Sequence, residues 1–62
     1  MIVENIKALC KREGVTIKAV EEICNLGNGT IRRWDDSSPS VDKLARVARF
    51  FRVTIDELIK EE

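Results

Sequence analysis

The sequence predicts an all-α fold, a compact bundle of five helices, and three observations predict it. Apolar residues recur at spacings of three and four in successive segments of the 62-residue chain. Residues suited to capping or closing helices stand between those segments. The five helices then occupy so much of the chain that no length is left for a sheet.

The first helix is read from Ile2, Ile6, Leu9 and Cys10, with Val3 alongside, and Gly14 stands where a left-handed residue closes it. Thr16 is the N-cap of a second helix whose inward face carries Ile17, Val20 and Cys24. Ile23 falls beside that face, either as a widening of the core, the favoured reading, or as a contact for a partner.

The next stretch, "NLGNGTI", contains an Asn-Gly pair, a strong hairpin signal when strands of period two flank it. Here the flanks have helical period: Ile31 and Trp34 are three apart, and Arg32 and Arg33 point elsewhere. The stretch is therefore a turn between helices. Asn25 tolerates the left-handed conformation that ends the second helix, and Leu26 turns into the core. Gly27 or Asn28 caps the third helix, and Gly29 inside it costs about 1 kcal/mol of helix propensity relative to alanine.

A loop of turn formers from Asp35 to Pro39 leads to Ser40, the cap of a fourth helix, with Asp42 well placed in its first turn. Val41, Leu44, Ala45, Ala48 and Phe51 form its apolar stripe, and Phe50 lies off it, either under the fifth helix or exposed. Lys43, Arg46, Arg49 and Arg52 drift round this helix by about 60° per step of three. They read as a solvated face with basic groups favoured near a helix C terminus. Thr54 to Glu57 has the form of a capping box and opens a short fifth helix that buries Ile55 and Leu58, with Ile59 either joining them or left at the edge.

The expected organisation is one domain over residues 1–62, as the length leaves room for no more, and a chain this short, burying only about 60% of its unfolded surface, is expected to be marginally stable. Hydrophobic residues at 44% and charged residues at 35% place it among soluble globular domains. Neither a membrane span of roughly 20 apolar residues nor a secretion signal is evident, so a cytoplasmic location is expected. Cys10 and Cys24 are expected as buried, reduced thiols, with a disulfide the lesser alternative. With no histidine, they cannot complete a zinc site, and no metal or cofactor is expected. No nucleophile with its base and no phosphate-cradling loop is recognisable, so catalysis is not expected, nor is a small-molecule ligand.

Eleven basic residues balance eleven acidic ones, which weighs against nucleic acid as a partner, although distribution can override the sum. Between Asn25 and Trp34 the only charges are Arg32 and Arg33, from Lys43 to Arg52 all are basic, and after Val53 four of five are acidic. Such segregation makes the molecule dipolar.

Four segments in order, "IKALCKREGVT", "GNGTIRRW", "PSVDKLARVARFF" and "VTIDELI", resemble the helix-turn-helix family of phage repressors and Cro, the Xre family, from about Ile6 to Ile59. Small bacterial regulators with "NGSISKW" and "SSPS" segments look especially close. The resemblance implies a lambda repressor-like bundle in which the second and third helices form the helix-turn-helix and the third enters the DNA major groove. It implies base-facing or nearby roles for Asn28, Gly29, Arg32 and Arg33. Independently, Asn and Arg pair well with adenine and guanine, and free N–H groups at a helix start favour a phosphate. Thr16, Lys18, Thr30, Ser38 and Ser40 are expected phosphate contacts, with capping an equal role for Thr16 and Ser40. Trp34 is read as core rather than reader.

The chain departs from the family pattern at Glu21, where alanine is common, at Asn25, where glycine is common, and at Ile17, where a polar phosphate contact is common. Arg52 sits where a left-handed glycine or asparagine is usual. The expected function is that of a sequence-specific regulator, a repressor acting as a homodimer on a double-stranded DNA operator. The alternative is a protein-interaction module on the same fold, anti-repressor or antitoxin-like, for which neutral charge, Ile23 and Phe50 speak.

Overall fold

A computed structural model describes residues 2–61, and among them the chain forms five helices and no strand. They are α1 (Ile2–Glu13), α2 (Ile17–Ile23), α3 (Thr30–Arg33), α4 (Val41–Phe51) and α5 (Ile55–Ile59). One hydrophobic cluster draws on all five: Val3, Ile6 and Cys10 from α1, Val20 from α2, Ile31 from α3, Leu44, Val47, Ala48 and Phe51 from α4, and Leu58 from α5. Cys24, Leu26 and Trp34, which flank the short helices, complete it. The all-α bundle expected from the periodicity is the observed fold.

Local chemistry accounts for most helix boundaries. The hydroxyls of Thr16, Ser40 and Thr54 accept from the backbone N–H groups of Ala19, Lys43 and Glu57, at 3.0, 3.2 and 3.2 Å. Each thereby satisfies a donor that its helix start leaves free.

Three helix ends share another device. After α1, α2 and α4 the chain turns left-handed at Gly14, Asn25 and Arg52, with φ of 70°, 58° and 60°. At each end two hydrogen bonds run back: Val15 N–H to the Cys10 carbonyl and Gly14 to Lys11, Leu26 to Glu21 and Asn25 to Glu22, Val53 to Ala48 and Arg52 to Arg49. This paired closure satisfies carbonyls that the helix end would otherwise orphan. The residue next in sequence then points back into the bundle, as Leu26 does.

Long-range polar contacts close the ends further. Asn5 donates its amide to the carbonyls of Leu58 and Lys60, at 2.8 and 2.9 Å, tying α1 to the end of α5. Arg46 donates to the carbonyls of Cys24 and Asn25 at 3.5 and 3.2 Å, and pairs with Asp42 at 2.7 Å. One member of the basic row on α4 thus binds the end of α2 instead of facing solvent alone.

Three expectations, for Ile23, Val41 and Val47, are corrected, and the open one for Ile59 is settled. Ile23 is not a widened core face but 64% exposed. Val41 is 73% exposed, because side chains lean toward a helix N terminus and one in the first turn reaches past the packed part. Val47, left off the apolar stripe, is fully buried, so α4 turns a broader arc inward. Ile59 is 41% exposed, whereas Leu58 is fully buried. Phe50 is half-buried, packed edge-on against Phe51 with ring centroids 4.9 Å apart. Both cysteines are buried free thiols, as expected, and burial raises both above the ordinary 9.0.

Candidate nucleic-acid interface

Helix α3 spans four residues, far below the length at which a helix persists alone in water. Two things hold it. Ile31 is fully buried and Trp34 nearly so, which fixes the inward face. The second is Glu21 of α2, whose carboxylate accepts from the N–H of Gly29 at 3.1 Å and from the N–H of Ile31 at 3.0 Å.

That carboxylate corrects the expected start of α3. Neither Gly27 nor Asn28 caps it: the cap position is Gly29, left-handed at φ of 80°, and no side chain at the cap supplies an acceptor. Gly29 is therefore outside the helix, and its lack of a side chain is explained by its backbone conformation. Space does not explain it, since an added Cβ would meet nothing within 4 Å. Nor are the first amides free for a phosphate. Glu21 takes those of Gly29 and Ile31, and Thr30 N–H bonds the Gly27 carbonyl at 3.4 Å.

The sequence-predicted residues gather on either side of α3. One recess is lined by Ile17, Lys18, Glu21, Asn28, Gly29 and Arg32. Another is lined by Thr30, Arg33, Trp34, Ser37, Ser38, Pro39, Ser40 and Lys43. Asn28, Arg32, Arg33 and Lys18 are exposed, and none of these three basic groups takes part in an ion pair among the described residues. Arg33 donates to the Asn28 carbonyl at 3.4 Å, a contact that steers its guanidinium back along the turn. Thr16 lies one residue before α2 and is in neither recess.

Hydroxyl protons separate the remaining candidates. Thr16 and Ser40 accept from backbone N–H groups and keep their own protons to donate, so capping and phosphate binding are compatible in one side chain. Thr30 instead donates its proton to the Leu26 carbonyl and has none left for a phosphate oxygen in this arrangement. Ser38 is exposed.

Two residues of this surface were not singled out for it from sequence. Lys43, in the first turn of α4, shares the recess of Arg33, Ser38 and Ser40. The signal for Lys43 was its place three residues after the capping Ser40. Glu21, a departure from the family pattern, is 4% exposed and ties the two helices together. Nothing in the sequence signalled it, because Asn28 offered a nearer cap and only the fold brings the Glu21 carboxylate to the start of α3.

Among the described residues no helix is long and apolar enough to cross a membrane, and no cluster of potential metal ligands occurs. No curated protein and no solved structure matches the chain significantly. A family model does: the helix-turn-helix model matches residues 6–58, which takes in α2, α3 and α4 whole, α1 from Ile6 onward and α5 up to Leu58. The chain belongs to the helix-turn-helix family, of the Cro and repressor type, whose members are DNA-binding regulators.

Proposed function

We propose that the chain is a sequence-specific transcriptional repressor, a single domain over residues 1–62 acting in the cytoplasm as a homodimer on a double-stranded DNA operator. In this reading α3 lies in the major groove. Asn28, Arg32 and Arg33 face base edges, Gly29 lets the backbone approach, and Lys18, Thr16, Ser38, Ser40 and Lys43 face phosphates. The observation that carries the reading is the placing of basic side chains that form no ion pair among the described residues on both flanks of α3, while Ile31 and Trp34 point inward. Arginine forks suit guanine edges, and a carboxamide suits adenine. The longest extent of one copy, 26 Å, fits within the roughly 34 Å between half-sites one helical turn apart.

Selection of bound sequences from a random duplex pool, followed by titration at several salt concentrations, tests this. A symmetric paired half-site and an affinity that falls steeply with salt are expected, since phosphate contacts release counterions. Absence of binding at low salt would remove the reading. A second reading, a protein-interaction module without DNA contacts, draws on the exposure of Ile23, which shares a surface recess with Phe50. Such a module would give no selected sequence at all.

A further inference from the structure

We propose that Glu21 is a positioning residue that sets the specificity of the DNA surface: it holds the start of α3 and, by its charge, keeps phosphate away from that start. The inference rests on the DNA-binding reading above and deepens it.

A helix start usually offers free N–H groups to an anion. Here the anion is the protein's own. Both oxygens of a carboxylate only 4% exposed are engaged, at 3.1 and 3.0 Å, by the amides of Gly29 and Ile31. No side chain of α3 or its cap performs this task. The carboxylate also lines the recess that Lys18, Asn28 and Arg32 share. A phosphate reaching for the Gly29 and Ile31 amides at the start of α3 meets a fixed negative charge that already uses them. A base edge carries no net charge, and the same site does not repel it.

Two consequences of opposite sign follow for one substitution. Glu21→Gln keeps the shape but turns an NH2 toward an amide N–H, so α3 loses one hydrogen bond and its fixed orientation. The same change removes the negative charge that opposes the DNA backbone. Specific binding should therefore weaken while binding to unrelated duplex strengthens. A purely structural residue would lower both together.

The test compares the unaltered protein with Glu21→Gln on a selected duplex and on an unrelated duplex of equal length. Circular dichroism checks that both proteins are folded at the temperature used. Affinity for the selected duplex is expected to fall about tenfold, the scale of one hydrogen bond to a charged group, while affinity for the unrelated duplex rises. A fall in both by the same factor, or no change in either, overturns the proposal. Hydrogen exchange in the unaltered protein is a second reading that needs no variant: the Gly29 and Ile31 amides should be protected, and exchange at the rate of open amides would also overturn it. If the unaltered protein prefers no duplex over any other, the DNA reading itself fails, and that result is distinct from a preference that Glu21→Gln leaves intact.

Discussion

Helices α3 and α4 adjoin one another in sequence and are built in opposite ways. Helix α4 runs for 11 residues, begins at a hydroxyl cap three residues from the N–H it binds, and buries four of its own side chains. Helix α3 has four residues, one of them buried, and an acceptor that comes from eight and ten residues upstream. The contrast teaches that the helix on the candidate reading surface is imposed by its neighbours. An element of this kind can leave Arg32 and Arg33 exposed, because its stability comes from Ile31, Trp34 and Glu21 instead of from its outer face.

The sharpest way to break the comparison is to delete each cap. Glu21→Ala leaves two amides without an acceptor and is expected to cost about 3 kcal/mol, with loss of hydrogen-exchange protection around α3. Ser40→Ala is expected to cost about 1 kcal/mol. Equal urea midpoints for the two variants would mean that α3 does not depend on its remote acceptor.

A smaller effect concerns how helices end. Gly14, Asn25 and Arg52 occupy equivalent left-handed positions, and only arginine lacks a means of easing that conformation. Arg52→Gly is expected to stabilise the domain by about 1 kcal/mol or less, because added freedom of the unfolded chain offsets part of the relief. Asn25→Gly should gain less. Thermal denaturation of both checks the order, and a destabilised Arg52→Gly would show that the arginine side chain makes a contact worth more than the strain.

The smallest effect is that of pH on the core. Burial raises both Cys10 and Cys24, the latter partly opposed by Arg46, so folded thiols ionise later than unfolded ones. Their contribution is present below the ordinary 9.0 and declines as pH climbs past it. Cys10→Ala with Cys24→Ala should flatten that alkaline decline in a plot of unfolding midpoint against pH.

This difference between local and remote causes also decides what the sequence made legible. Thr16, Ser40 and Thr54 could be read as caps, and Gly14 and Asn25 as closures, because cap and helix lie within a few residues of each other. The start of α3 could not, since sequence spacing says nothing about a carboxylate that folding brings back across a turn. For that reason spacing puts the cap at Gly27 or Asn28 and Gly29 inside the helix, whereas the observed cap position is Gly29. Ile23 and Val41 have apolar side chains on helices and yet are exposed, because a helix shows the bundle only an arc, whose edges depend on where neighbours pack. The basic row on α4 was legible as a row, whereas the use of Arg46 on the end of α2 required the fold.

The measurement that bears most directly on the whole account is duplex affinity and thermal midpoint taken together for Arg32→Ala. Arg32 is exposed and in no ion pair among the described residues. The account predicts at least a tenfold loss of affinity for the selected duplex, the scale of one arginine contact to a base, with the midpoint unchanged. Unchanged affinity at an unchanged midpoint would contradict it, and would mean that α3 does not read DNA.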